Sequence, residues 1–388
     1  MFPSRVVSSS SRSLVPALRA ARAALLKNAS FHPLAPIHHG QCVQQRHYAM
    51  MRSPSLTRRA RARAVQGGLL FKPSDTPPVA VWEQFKLHYD LGDLTAQDCH
   101  KAAVHYCDLA TNDSSAWRET LERDHGIDSY TLHYTALPLA SRGTASHMGL
   151  HMLLTASILG YAPSTLTLMS ILVRLNKKDF LAMKPSFREA EAHFNRLVQA
   201  ENPDALTLQG LVLLHGDRPT ATALKYFDKA IKVARSIPPK AVSQPEPASQ
   251  DSPAIREPRW SFEGSCHQKR GLILLEHNRT EEAIAAFKIA ALELDLADGY
   301  AELVKLMPRD APERETYLLK AAQGCNPEAC QLLALEMADK ASDPGLSMKD
   351  RVYAGRMARE WVQAHPDPGK REEVEAMVAE KTREVTKG

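Results

Sequence analysis

Acidic side chains are absent from the first 74 positions of this 388-residue chain, and the first acid is Asp75. The first 64 positions carry eleven Arg/Lys, among them Arg5, Arg12, Arg19, Arg22 and Lys27, set among Ser, Ala and Leu. Cysteine is scarce as well: Cys42, Cys99, Cys107, Cys266, Cys325 and Cys330 are too few and too scattered for a disulfide scaffold. Alternation of apolar and polar residues, the mark of a half-buried strand, does not occur at useful length. No Gly-rich phosphate loop, dinucleotide fingerprint, catalytic carboxylate pair or nucleophile elbow is present. These absences exclude a disulfide-stapled secreted domain and argue against an enzyme. No cofactor, catalytic residue or metal ligand is therefore assigned from the sequence.

A basic, Ser-rich, acid-poor start is the composition of a mitochondrial presequence. Leu14–Lys27 sets Arg19, Arg22 and Lys27 against Leu14, Leu18, Leu25 and Leu26, which a helix sorts into a basic and an apolar face. Arg46-His47-Tyr48-Ala49 has the pattern of a matrix processing site, so residues 1–48 are expected to be a disordered leader, with the mature chain starting near Ala49. Residues 49–78 form a basic, Pro-containing linker with Arg52, Arg58, Arg59, Arg61 and Arg63. That arm either extends the targeting signal or touches cardiolipin, ribosomal RNA or an acidic partner through charge. Removing the eleven bases of residues 1–64 from the total of 49 leaves 38 against 44 acids over residues 65–388, a balance of −6. The body is acidic, with the 44% hydrophobic and 24% charged content of an ordinary soluble fold.

From Val79 the pattern is helical almost throughout. Helices are expected over Val79–Tyr89, Thr95–Ala110 with Thr95 as cap, Ser114–His125 and Asp128–Ala140. Gly143–Val173 lacks Asp, Glu, Lys and Arg, but Gly160-Tyr161-Ala162-Pro163 splits it into two pieces of about a dozen residues, each short of the ~20 a span needs. A buried hairpin is the expectation and a membrane-associated segment the alternative. His147 and His151 stand one helical turn apart, without the Glu of a zinc hydrolase, and are read as two polar tips on that hairpin. Cys99-His100 and His105 with Cys107 lie on one helix too far apart to share an ion, unless ligands come from elsewhere.

Internal similarity sets the architecture. Gln199-Ala-Glu-Asn202-Pro203-Asp204-Ala205 aligns with Gln323-Gly-Cys-Asn326-Pro327-Glu328-Ala329 at an offset of 124 residues, each an Asn-Pro turn opening an apolar helix. In a second register Gly271, Leu274, Ala283, Phe287 and Ala290 are matched by Gly210, Leu214, Ala223, Phe227 and Ala230 with one residue shifted. These spacings resemble a tetratricopeptide unit, and Tyr317–Gly324 with Ala329, Leu332 and Leu333 resembles the related Sel1-like unit. The resemblance covers about 187–337 and implies an all-α array of helical hairpins, a solenoid, whose face binds protein. It also draws notice to Cys325 and Cys330, since some Sel1-like proteins carry disulfides or bind haem during respiratory-complex assembly.

The expected division is 79–175 for N-terminal hairpins, 176–236 for helical repeats, 237–258 for a flexible Pro-rich insertion, 259–364 for tetratricopeptide/Sel1-like repeats and 365–388 for a capping helix. A protein partner in mitochondria is the expected ligand, with the chain in the matrix or on the matrix face of the inner membrane. The function implied is a scaffold for assembly or maintenance of a respiratory-chain or ATP-synthase complex. Its candidate contacts are Gln209, His215, His267 and Gln331, chosen by their places in the repeats. A mitochondrial RNA-processing, translation or ribosome-associated factor is the alternative: Lys225, Lys229, Lys232 and Arg235 could line a helix face, although an acidic body disfavours phosphate binding.

Overall fold

The computed structural model describes residues 71–87, 91–111, 117–140, 145–174, 187–216, 219–238 and 255–382. The expected leader, most of the linker and most of the Pro-rich insertion lie outside these residues. Among the described residues there are sixteen α-helices and no strand. They are α1 (Ala80–Lys86), α2 (Ala96–Thr111), α3 (Trp117–His125), α4 (Ser129–Ala140), α5 (Ser146–Ile158), α6 (Ala162–Val173), α7 (Arg188–Gln199) and α8 (Pro203–His215), continuing with α9 (Thr220–Ala234), α10 (Glu263–Glu276), α11 (Thr280–Lys288), α12 (Ala297–Leu306), α13 (Arg314–Gln323), α14 (Pro327–Ser342), α15 (Met348–Ala364) and α16 (Pro368–Thr382).

Seven hairpins follow one another, α2 with α3 through α14 with α15, and from α5 onward each second helix also packs on the first helix of the next hairpin. First helices meet first helices at α2–α4, α6–α8, α8–α10 and α14–α16. The chain is thus an all-α, repeat-like array with one continuous apolar core. It ends on α16, which buries Val374 and Val378 against α14 and α15 and leaves a charged outer side.

The two Asn-Pro turns fold identically. Asn202 and Asn326 are N-caps whose side-chain oxygens accept from Ala205 N–H at 3.0 Å and Ala329 N–H at 2.9 Å. Such a cap contributes about 0.5–2 kcal/mol, and the proline fills a position with no N–H to satisfy. The preceding helices end alike too. Asn202 N–H donates to the Leu197 carbonyl and Asn326 N–H to the Ala321 carbonyl, closing the six-residue loop of a Schellman motif. The same bond joins Tyr161 to Ala156 and Arg279 to Leu274. Gly160 supplies the left-handed residue in one of the four, whereas Glu201 (φ 56°), Asn278 (φ 59°) and Cys325 (φ 63°) do so in the others.

The second register is the contact that sets hairpin spacing. A Cβ placed on Gly271 would lie 2.5, 2.7 and 2.9 Å from Cε1, Cζ and Cδ1 of Phe287, and one on Gly210 would lie 2.5, 2.8 and 3.0 Å from the same atoms of Phe227. In each pair the glycine lets the aromatic ring rest on helix backbone. Ala223, Ala230, Ala283 and Ala290 flank the rings and are fully buried. The one-residue shift between the two sets is absorbed in the turns, not in the contact.

Residues 145–173 of the Gly143–Val173 segment carry α5 and α6, which pack on each other, and among the described residues no helix is long and apolar enough to cross a membrane. Several of the segment's hydroxyls pair with each other or with imidazoles of the neighbouring helices. Ser157 Oγ and Thr165 Oγ1 are 2.6 Å apart, Thr165 Oγ1 and His193 Nδ1 2.8 Å, and Ser164 Oγ and His133 Nδ1 2.9 Å. Here the structure corrects the sequence reading of His151 as a polar tip. Its Nδ1 lies 2.7 Å from the buried Tyr106 hydroxyl, and its ring stacks on Trp117 at 16° beside Phe71. The bond to the hydroxyl offsets the cost of burying the imidazole, and the ring packs on the aromatic faces around it.

Candidate functional site

The first helices carry a recurring stripe. Gly210, Gly271 and Ala334 face inward, and the next residue in each helix, Leu211, Leu272 and Leu335, turns about 100° outward to a half-buried position. One turn further, Leu214 and Leu275 repeat that placement on α8 and α10. Leu332 precedes Leu335 by one turn on α14, while α12 offers Glu302 and Lys305, an ion pair at 3.0 Å. The result is a face of half-covered leucines interrupted by charge, formed by helices that come from different hairpins. Such a face can hold an extended or helical segment by apolar contact, with polar neighbours fixing register.

Gln209 and Gln331 are half-buried on α8 and α14, at the edges of this stripe. His215 ends α8 and donates Nε2–H to the Val173 carbonyl at 2.7 Å, so it ties two first helices together. His267 is only 5% exposed; it lies inside α10 beside Trp260 and Glu263, which removes it from the outward contacts. The four do not converge on one centre. The leucine pairs next to the packed glycines recur on two helices that touch, α8 and α10, and the repeat of Gly-Leu at 210–211 and 271–272 is the signal that could have found them.

The chain returning from the Pro-rich segment is held by a buried ionic clamp. Arg256 donates Nη1–H and Nη2–H to the two oxygens of Glu263 at 2.8 Å each, and Nε–H to Glu293 at 2.8 Å. Glu263 is 1% exposed and takes a further 2.6 Å bond from Arg259 N–H. Glu293 reaches the clamp because α11 closes with a π-turn at Ile289–Glu293, whose wider winding turns that side chain toward Arg256. Trp260 then donates Nε1–H to Thr207 at 3.1 Å and Phe262 N–H to Asp204 at 3.0 Å, seating the start of α10 on α8.

Burial sets the protonation of the polar core. It pushes His133, His151 and His267 down to about 4 and pushes the Asp204 carboxyl up to about 6, against the pull of N–H groups from Phe262 and Ser261. The signs oppose each other. A histidine neutral in the fold loses stability as pH falls from its unfolded value of about 6.5 toward 4, because only the unfolded chain takes the proton. Asp204 holds its proton more tightly when folded, so its contribution falls as pH rises from the unfolded value near 3.9 through 6. Three histidines outweigh one carboxyl, and urea midpoints are expected to drop between pH 7 and pH 4.5. An unchanged midpoint would refute this balance.

Chemistry has little to work with elsewhere. Ser164 beside His133 is fully buried, so no substrate reaches that pair. Cys99, Cys107, Cys266 and Cys330 are buried, burial raises the first three thiols, and Cys325 is not joined to Cys330 in a disulfide. Among the described residues no group of three His, Cys, Asp or Glu is placed to hold a metal ion. On α9 and at its C-cap, Lys225, Lys229, Lys232 and Arg235 are exposed, but Lys229 pairs with Glu201 at 2.9 Å and the groove beside it is also lined by Asp228. That surface is mixed in sign, unlike a phosphate track. No family model, curated protein or solved structure matches the chain.

Proposed function

We propose that the chain is a tetratricopeptide/Sel1-like scaffold of mitochondria that holds a protein partner on its first-helix face during assembly or maintenance of a respiratory-chain or ATP-synthase complex. The observation that carries this reading is the half-buried leucine pair, Leu211 with Leu214 and Leu272 with Leu275, set beside the glycine–phenylalanine contacts in successive hairpins. Leucines that pack from below yet keep one side open supply apolar area to a partner without unfolding cost. The acid-free, arginine-bearing start of the sequence supports the organelle. A second reading, RNA association, draws on the exposed Lys225 and Lys232 of α9 and Arg235 at its C-cap.

The test is native electrophoresis of detergent-treated mitochondria containing the tagged chain or its Leu272→Arg/Leu275→Arg variant, with and without ribonuclease. Co-migration with a large membrane complex, lost in the variant and indifferent to ribonuclease, is expected. A ribonuclease-dependent shift would move the reading to RNA, and cytosolic residence of the tagged chain would end the mitochondrial assignment.

A further inference from the structure

From the juxtaposition of two histidine rings on neighbouring helices, we infer that His105 and His125 form a surface site for a late first-row divalent metal ion such as Zn²⁺. The sequence offers no second histidine within a turn of His105 on α2; the fold brings His125, the last residue of α3, against it. The ring centroids are 4.9 Å apart with planes at 33°, neither parallel-stacked nor edge-on. Taking about 2.1 Å from metal to imidazole nitrogen and about 1.2 Å from nitrogen to ring centre, coordination angles of about 90–110° separate two ring centres by about 4.6–5.4 Å. The observed separation falls inside that interval.

The two rings are also available. His105 is half-buried and His125 exposed, and neither is committed to a hydrogen bond among the described residues, in contrast to His133, His151, His193 and His215. Among the described residues no third His, Cys, Asp or Glu stands in coordinating range there, and water would complete the coordination sphere. Imidazole donors select zinc, nickel and copper over magnesium or calcium. An ion held by both rings would cross-link α2 to the end of α3, so binding and the stability of the first hairpin are coupled.

Calorimetric titration of the full chain with Zn²⁺, and with Mg²⁺ as the contrasting ion, tests this. One Zn²⁺ per chain with a rise in Tm, and no response to Mg²⁺, is expected. His105→Gln or His125→Gln should each weaken binding by about 100-fold, since the second ring's effective concentration is lost, while His277→Gln on a distant turn should not. Because His125 is exposed, its variant keeps the fold and the test remains decisive if His105→Gln does not. Zinc binding that survives both substitutions, or no one-to-one binding at all, would overturn the assignment.

Discussion

Phe287→Ala is expected to lower unfolding free energy by about 3–5 kcal/mol, the range for emptying an aromatic site in a packed core. Phe287 is fully buried, and its ring occupies the space that a side chain at residue 271 would otherwise need. The same geometry makes Gly271→Ala costly: the added carbon would sit within 2.9 Å of three ring atoms, an overlap that costs about 1–3 kcal/mol in a dense core. Urea unfolding of the two single variants and of Gly271→Ala/Phe287→Ala forms a cycle. The alanine should cost less once the ring is gone. Equal cost in both backgrounds would show that the glycine is there for some reason other than the ring. Because repeat units couple chiefly to neighbours, amide exchange should quicken first in α8–α13 and last in α2–α5.

Arg256→Met is expected to cost about 3–5 kcal/mol, because it leaves the Glu263 carboxylate buried without its counter-charge. The Arg259 N–H bond remains but neutralises nothing. Removing both charges with Arg256→Met/Glu263→Gln should recover most of the loss, since a neutral amide in that place needs only hydrogen-bond partners. Glu293 is less buried than Glu263, with 41% of its side chain exposed, so Glu293→Gln should cost distinctly less than Arg256→Met. Chemical denaturation of the three variants decides it. A double variant no more stable than Arg256→Met would mean that the clamp acts through shape and not through charge pairing.

Much of the architecture was legible in the chain. α2 and α4 span the expected Thr95–Ala110 and Asp128–Ala140 to within a residue, Thr95 caps α2 with its side chain and Asp98, and both asparagines of the 124-residue register are N-caps. All of these depend on residues within one or two turns of each other. The Schellman endings were less visible because three of the four left-handed positions hold Glu, Asn and Cys in place of glycine. His151 and His267 were read as outward, yet His151 lies among aromatic side chains brought from other segments and His267 lies beneath Trp260, at the entry to its own helix.

Local spacing determined that this chain folds into paired helices, where those pairs turn, and which glycine meets which aromatic, because each of these is fixed by periodicity, capping and steric fit over a few residues. The tertiary structure alone decided which polar groups are buried, that Glu293 joins Arg256 and Glu263, and that His105 meets His125. Those outcomes depend on how one helix is rotated against another. A rotation of a few tens of degrees exchanges an inward side chain for an outward one while leaving the hydrophobic period of the sequence unaltered.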